Sequence, residues 1–180
     1  MISGPSGAGK GTLVTRVRER RSNLGLTVSA TTRAPRKGEV DGVNYFFLTR
    51  EEFDRRVANG EFVEWAEVHG NCYGTLVSEV QSKLASGSSL ILEIDVQGAL
   101  QVKERFPGAV LIFIKPPSLE VLRERLVGRG TETPETIELR MANAAHELAL
   151  ADRYDDVVVN DDLDRATDEL VRVLDMHERI

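Results

Sequence analysis

The sequence predicts a doubly wound α/β fold, a five-stranded parallel sheet with helices on both faces, into which a small mixed-β lobe and a short lid are inserted. Three observations favour it. Apolar strands alternate with helical segments along most of the chain, and each strand is continuously apolar, as is typical of strands buried on both faces. A glycine-rich segment also separates the first strand from the first helix. In such folds ligands bind at the carboxyl ends of the strands.

The elements of the core follow one another in a simple order. Strands are predicted at residues 1–3, 26–29, 90–94, 110–115 and 156–160. Helices are predicted at residues 10–21, 97–106, 118–128, 134–152 and 163–177. Thr133 before Pro134 predicts a sharp helix start, because threonine caps free N–H groups and proline suits the first turn.

Two insertions interrupt this alternation. Short strands are predicted at residues 44–48, 61–68 and 71–76, and Thr49 with Glu52 predicts a capped helix between the first two. Residues 125–133 are rich in arginine, glycine and threonine, which is typical of a mobile lid. The predicted single domain therefore comprises a core (1–32, 87–124 and 134–180), an inserted lobe (33–86) and a lid (125–133).

Composition limits the classes of function. The chain has 180 residues, of which 41% are hydrophobic and 29% charged, as in an ordinary globular domain. A net charge of −6 argues against broad nucleic-acid binding. Cys72 is the only cysteine, which excludes an internal disulfide and favours the cytoplasm. No signal peptide or membrane-spanning run is recognised, so no membrane partner is expected, and the sequence leaves the oligomeric state open.

The glycine-rich segment is the first candidate site. It consists of Gly4, Pro5, Ser6, Gly7, Ala8, Gly9, Lys10, Gly11 and Thr12. This matches most of the P-loop pattern, in which backbone N–H groups surround phosphate oxygens and the lysine reaches the β- and γ-phosphates. Gly11 stands where serine or threonine is usual, so Thr12 is the nearby hydroxyl for Mg²⁺, directly or through water. The alternative, a turn without function, is disfavoured by the preceding strand and by Lys10.

A carboxylate at the end of an apolar strand supports this interpretation. Asp95 follows the predicted strand 90–94, where P-loop enzymes hold Mg²⁺ directly or through its waters. Glu93 is expected to point into the same cleft, since residues two apart on a strand share a face. An aspartate in this place is a weak signal alone and gains weight from the glycine-rich segment.

Several segments resemble the guanylate kinase family closely. They are residues 28–36, 38–45, 61–66, 73–75, 92–98 and 159–163, in the family's order and spacing, and the likeness covers essentially the whole chain. Gly11 departs from the commonest family pattern, and the resulting loop ending Gly9-Lys10-Gly11-Thr12 resembles that of adenylate kinases. The resemblance implies transfer of the γ-phosphoryl of ATP to GMP with Mg²⁺, giving ADP and GDP for purine nucleotide recycling and GTP supply; dGMP use stays open.

The resemblance also implies a GMP site. Its residues would be Ser29, Arg33, Arg36, Tyr45, Glu64, Tyr73, Thr75, Glu93 and Asp95. Glu64 would accept the N1 and N2 protons of guanine, whereas adenine presents an acceptor at N1. Ser29 and Thr75 would complete recognition of the O6 edge, while the two arginines and two tyrosines would bind the phosphate. The alternatives are a solvated basic turn for the arginines and a half-buried sheet face for the tyrosines.

On the ATP side, the resemblance adds residues far from the glycine-rich segment. Arg125, Arg129 and Asn160 would contact ATP, and the implied catalytic residues are Lys10, Arg33, Arg129 and Arg140. Arg125 is alternatively an ordinary exposed helical residue. Asn160 is alternatively a cap of the last helix.

Two other functions remain as alternatives. One is a guanylate-kinase-like module that binds phosphorylated peptides, but such a module does not need Lys10, Asp95 or the lid arginines. The other is a P-loop kinase for AMP, UMP or ribose bisphosphate, against which the combination of Glu64 with Ser29 and Thr75 argues.

Overall fold

The computed structural model describes residues 1–68, 70–85, 87, 89–128, 130 and 133–178. Its strands are β1 Ile2–Ser3, β2 Leu24–Leu26, β3 Ala30–Thr31, β4 Phe46–Phe47, β5 Phe62–Val68, β6 Asn71–Leu76, β7 Ser89–Ile91, β8 Ile112–Lys115 and β9 Asp156–Val159. Its helices are α1 Lys10–Arg20, α2 Arg50–Ala58, α3 Val77–Leu84, α4 Val96–Arg105, α5 Leu119–Gly128, α6 Pro134–Leu148 and α7 Leu163–Glu178. The chain divides into two compact units, Met1–Arg21 with Gly108–Ile180, and Ser22–Pro107.

The first unit is built on a parallel sheet of three strands in the order β1-β8-β9. Phe113, Ile114 and Val158 are fully buried in it. Helices α1 and α7 pack together, and α5 packs on α6 through the buried side chains of Leu122 and Leu126.

Ion pairs join the outer surfaces of α1 and α7. Arg16 pairs with Asp164, Arg20 with Asp168, and Arg21 with Asp175 and Glu178. These arginines are therefore matched to acidic partners on the last helix.

The second unit contains two sheets. Strands β2 and β7 form a parallel pair, and a mixed sheet has the order β4-β3-β6-β5. In the mixed sheet β6 runs antiparallel to both β3 and β5. Its core includes Phe53 and Phe62, whose rings stack 4.5 Å apart, together with the buried Cys72.

The predicted parallel α/β architecture is confirmed, whereas a single five-stranded sheet is not. The five predicted strands all form, as one sheet of three and one of two. The strand predicted at 26–29 is observed at Leu24–Leu26. The Thr27 N–H still donates to the Ile91 carbonyl of β7 at 3.2 Å, and the Val28 N–H, on the other edge of the chain, donates to the Glu79 carboxylate at 3.0 Å. The helix predicted to reach residue 152 ends at Leu148, and a separate 3₁₀ turn covers Ala151–Arg153.

Both predicted helix starts are confirmed. Thr133 accepts a hydrogen bond from the Thr136 N–H at the start of α6. Thr49 accepts one from the Glu52 N–H at the start of α2. The Glu52 carboxylate instead pairs with arginines further along α2. Helix α3 was not predicted, because none of its side chains is buried and no side chain caps its start.

The predicted domain boundaries stay a prediction. The lobe of residues 33–86 lies entirely within the second unit. In the predicted lid, residues 125–128 belong to α5, whereas Arg129, Thr131 and Glu132 lie outside the described residues.

Candidate active site

The glycine-rich segment forms a tight loop between β1 and α1. Gly4 lies against β8, where an added Cβ would come within 2.2 Å of the Ile114 carbonyl oxygen. Gly9 precedes α1 with a φ of +92°, and an added Cβ there would lie 2.3 Å from Nδ2 of Asn160. Both places therefore exclude any side chain, and Gly9 also needs the left-handed backbone that glycine adopts freely.

Lys10 lies across this loop. Its Nζ donates to the carbonyl oxygens of Gly4 at 2.6 Å and Pro5 at 3.2 Å. The ammonium group is thus held beside the N-terminus of α1, where helix N–H groups and the helix dipole also favour an anion.

Three side chains distant in sequence hold the loop in place. The buried Asn160 donates from Nδ2 to the Ala8 carbonyl at 2.8 Å. Arg125 donates to the Asn160 carbonyl at 2.8 Å, and Arg140 donates to the Ser6 hydroxyl. The alternative that Asn160 caps the last helix is wrong, since Asp162 accepts from the Arg165 N–H there.

In the second unit a buried carboxyl group lies on β5. Glu64 is only 2% exposed, and its Oε1 accepts a 2.6 Å hydrogen bond from the Thr75 hydroxyl. Phe62 pairs with Leu76, so regular pairing would place Glu64 opposite Gly74, but the register shifts between Phe62 and Glu64. This bulge places Glu64 directly opposite Thr75, on the same face of the hairpin.

Helix α4 supports the bulge. Arg105 donates to the carbonyl oxygen of Val63, the extra residue of the bulge, at 3.0 Å. Gln101 donates to the Trp65 carbonyl at 3.2 Å. The backbone on both sides of Glu64 is therefore tied to one helix.

The surroundings of Glu64 favour its protonated form. Burial raises the pKa of the Glu64 carboxyl to about 7, and the nearby charge of Asp95 adds to the rise, while the Thr75 hydroxyl opposes it. A ligand that offers two N–H donors would favour the carboxylate instead.

Asp95 begins α4. Its Oδ1 accepts from the N–H groups of Gln97 at 2.8 Å and Gly98 at 3.1 Å, which makes it the N-cap. Burial raises the pKa of Tyr45, and the nearby Tyr73 and then Glu93 add to the rise. Glu93 therefore lies close to Tyr45. Both acidic residues therefore lie among the predicted GMP residues of this unit.

A third cluster surrounds Arg33. One guanidinium nitrogen of Arg33 donates to both carboxylate oxygens of Glu39, at 2.9 and 3.0 Å, and the group lies 5.4 Å from the ring centroid of Tyr45. The rings of Tyr45 and Tyr73 meet edge to face at 6.2 Å. The hydrogen bond to Glu39 raises the pKa of Arg33, and that to Arg33 lowers the pKa of Glu39.

Sequence reasoning assigned no role to Glu39. It also accepts a 2.6 Å hydrogen bond from the Arg36 backbone N–H, while the Arg36 side chain is exposed. The only signal in the sequence is an acidic residue three positions after a basic one, beside the turn glycine Gly38.

Comparisons with known proteins identify the family of this chain. A sequence model of the guanylate kinase family matches residues 1–177. The chain is 56% identical to a guanylate kinase of Gloeobacter violaceus over 97% of this chain and 85% of that protein. It is 52% identical, with the same coverage, to one of Halalkalibacterium halodurans. This chain belongs to the guanylate kinase family. It is therefore an ATP:GMP phosphotransferase.

A solved guanylate kinase has the same fold. The crystal structure of the enzyme from Anaplasma phagocytophilum matches with a TM-score of 0.80 and 38% identity, over 97% of this chain and 82% of that one. The parallel α/β architecture described above is thus that of a known guanylate kinase.

The remaining predicted residues of this guanylate kinase are less constrained. Ser29 is half-buried just before β3, and its carbonyl accepts from the Phe46 N–H at 2.9 Å. Thr12 is exposed in the first turn of α1. The Thr75 hydroxyl proton is directed at Glu64, so donation to guanine O6 would require the hydroxyl to rotate. Arg129 lies outside the described residues.

Within the described ranges, no group of three or more histidine, cysteine, aspartate or glutamate residues could hold a metal ion. No helix in the same part of the chain is long and apolar enough to cross a membrane. The cytoplasmic location stays a prediction.

Proposed function

We propose that guanine is selected by Glu64, oriented by Thr75, in the second unit, and that ATP is held by the glycine-rich loop of the first unit. The observation that carries the proposal is the buried Glu64 carboxyl group, aligned with the Thr75 hydroxyl at 2.6 Å. The proposal concerns how this phosphotransferase recognises its substrates and which residues act on them.

Guanine fits Glu64 because its N1 and N2 atoms both carry protons and lie side by side. A carboxylate only accepts hydrogen bonds and has enough lone pairs to keep the Thr75 bond while accepting two more. Adenine would direct its N1 lone pair at the carboxylate and leave a buried polar group unpaired. Sites of this kind discriminate by roughly 10⁴-fold or more.

The GMP phosphate fits the cluster around Arg33. Arg33 already binds an anionic carboxylate and lies beside the two phenol groups of Tyr45 and Tyr73. A phosphate would bind Arg33 while Glu39 continues to orient it, with the exposed Arg36 side chain as a further donor.

On the ATP side, the loop N–H groups and Lys10 would bind the phosphates, and charge neutralisation would supply most of the catalysis. Arg140 donates to the Ser6 hydroxyl and Arg125 to the Ala8 carbonyl at 3.5 Å, so both would be near a loop-bound phosphate chain. Arg129 would add a further cation from the lid. Asn160 would act chiefly by fixing Ala8.

Mg²⁺ is compatible with these residues. In kinases this ion is bound by phosphates and waters with only one or two protein ligands, so a larger carboxylate cluster is not needed. Thr12 has an exposed hydroxyl, and the helix-capping bonds of Asp95 use only Oδ1. Either residue would hold the ion, directly or through water, and it would neutralise phosphate charge.

The test measures ADP formation with ATP and Mg²⁺ and with GMP, AMP, CMP or UMP as acceptor. Turnover is expected with GMP alone. Glu64→Gln should reduce kcat/KM for GMP by 10² or more, because the amide presents a donor to guanine, while the Kd for ATP stays unchanged. Glu67→Gln is the matched control, since Glu67 lies exposed on the same strand. Equal loss of GMP and ATP binding in Glu64→Gln would contradict the assignment.

A further inference from the structure

Gly98, in the first turn of α4, lies against the Glu64 carboxyl group. A Cβ added at Gly98 would be 2.2 Å from Glu64 Oε2, 3.0 Å from Glu64 Cδ and 3.5 Å from Asp95 Oδ2. The first distance is far below van der Waals contact. This close approach of α4 to the Glu64 carboxyl group is therefore possible only because residue 98 has no side chain.

The backbone gives no other reason for glycine at this place. Gly98 is in a regular helix, has no positive φ, and donates its N–H to the Asp95 cap as any other residue would. Glycine in a helix is less favourable than alanine by up to about 1 kcal/mol. The contact with Glu64 is thus the feature that requires it.

The helix cannot move away to make room. It is fixed to β5 by Gln101, which binds the Trp65 carbonyl, and by Arg105, which binds the Val63 carbonyl. Its first turn is fixed by the Asp95 cap. An added methyl group would therefore displace the carboxylate, and with it the 2.6 Å bond from Thr75.

We propose that Gly98 is a positioning residue for guanine selection, because its missing side chain lets α4 hold the Glu64 carboxylate opposite Thr75. Gly98 does not itself touch the base. The proposal rests on the proposed role of Glu64 as the acceptor for guanine, and it adds that the position of the carboxylate, and not only its presence, determines the preference.

The test is Gly98→Ala, assayed with GMP and with IMP, which keeps the N1 proton and lacks the 2-amino group. KM for GMP should rise roughly 10- to 100-fold, the order of one charge-assisted hydrogen bond, and the preference for GMP over IMP should fall. KM for ATP should not change. Gly108→Ala is the control, because that glycine has no positive φ and open space around it. An unchanged GMP:IMP ratio in Gly98→Ala would overturn the proposal.

A double-variant cycle shows whether the effect passes through Glu64. In a Glu64→Ala background no carboxylate remains to be displaced, so Gly98→Ala should change kcat/KM for GMP no further; an equal additional loss would overturn the proposal. If Glu64→Ala itself leaves GMP use intact, the proposed function fails. If Glu64→Ala impairs GMP use and Gly98→Ala does not, only the role of Gly98 fails.

Thermal unfolding provides a second measurement. Gly98→Ala is expected to leave the Tm nearly unchanged, since the helix preference of alanine offsets the loss of the Thr75 hydrogen bond. If the single variant does not fold, the double variant with Glu64→Ala should recover the Tm of Glu64→Ala. Failure to recover would show that the clash lies elsewhere and would overturn the proposal.

Discussion

The glycine-rich loop, to which we assign ATP, and the Glu64 pocket (Glu64 with Thr75), to which we assign guanine, are built by different means. The loop is made of backbone groups, which Asn160, Arg125 and Arg140 hold from outside. The Glu64 pocket depends on one buried side chain and on the hydroxyl that orients it. Backbone N–H groups suit a phosphate chain that many nucleotides share, whereas a buried acceptor suits a single base.

The largest expected effect is the loss of turnover when Lys10 of the glycine-rich loop is replaced. Lys10→Ala should lower kcat by about 10³-fold, because a cation that neutralises the transferring phosphoryl group is lost, while the Kd for GMP changes less than about twofold. Arg16→Ala is the control, since Arg16 lies on the same helix in an exposed ion pair. Steady-state kinetics and a GMP titration measure both quantities. Near-normal turnover in Lys10→Ala would show that Lys10 does not stabilise the transferring phosphoryl group.

The second effect concerns stability and pH. The folded-state pKa of Glu64 is raised to about 7. The folded state therefore favours the protonated carboxyl group. Its contribution to the free energy of unfolding is fully present below pH 4.5 and is lost as the pH rises through 7. At pH 8 Glu64→Gln should be more stable than wild type by at most roughly 3 kcal/mol, and the difference should vanish near pH 4.5. Urea unfolding at several pH values measures it. If the gain in stability of Glu64→Gln did not depend on pH, the charge of Glu64 would not be its cause.

The third prediction tests the orientation of the carboxylate. Thr75→Val keeps the size of the side chain and removes the 2.6 Å hydrogen bond to Glu64, so KM for GMP should rise roughly tenfold. Loss of that bond should also raise the pKa of Glu64 further, because the hydroxyl lowers it in the wild type. Ser78→Ala, an exposed hydroxyl shortly after β6, serves as control. The pH profile of kcat/KM for GMP should move to higher pH; an unmoved profile with a normal KM would contradict the role of Thr75.

The smallest expected effect concerns Glu39. Glu39→Gln removes the ion pair that orders Arg33, and KM for GMP should rise by up to about fivefold, within the usual range for partly exposed pairs. Glu51→Gln, an exposed glutamate of α2, is the control. A lower KM in Glu39→Gln would show instead that Glu39 competes with the GMP phosphate for Arg33.

The two regions also differ in how far the sequence predicts them. The loop could be predicted because its residues are contiguous and lie between a strand and a helix, and Lys10 takes its place by local geometry alone. Its supports could not be derived from local pattern, since Asn160 contacts Ala8 across 152 residues. The family resemblance named Asn160 as an ATP contact and did not indicate its bond to Ala8.

The Glu64 pocket was predictable only in outline. Strands were predicted at 61–68 and 71–76, where β5 and β6 form, but nothing in the sequence shows that a bulge aligns Glu64 with Thr75 instead of Gly74. The close approach of Gly98 likewise depends on how α4 packs on β5. The strand predicted at 26–29 was wrong by a few residues, because local sequence does not show that the Val28 N–H bonds to a side chain 51 residues away.

The pairing of α1 with α7 has an electrostatic consequence for the loop. Three arginines of the outer surface of α1 and its end, Arg16, Arg20 and Arg21, are matched by carboxylates of α7. Unpaired, these cations would attract a nucleoside triphosphate to the wrong side of the helix. Their mutual neutralisation weakens the attraction of that surface for a polyanion relative to the loop with Lys10 and the helix N-terminus. With ATP assigned to the loop as we propose, the acidic last helix would favour encounters at the loop over encounters at this surface.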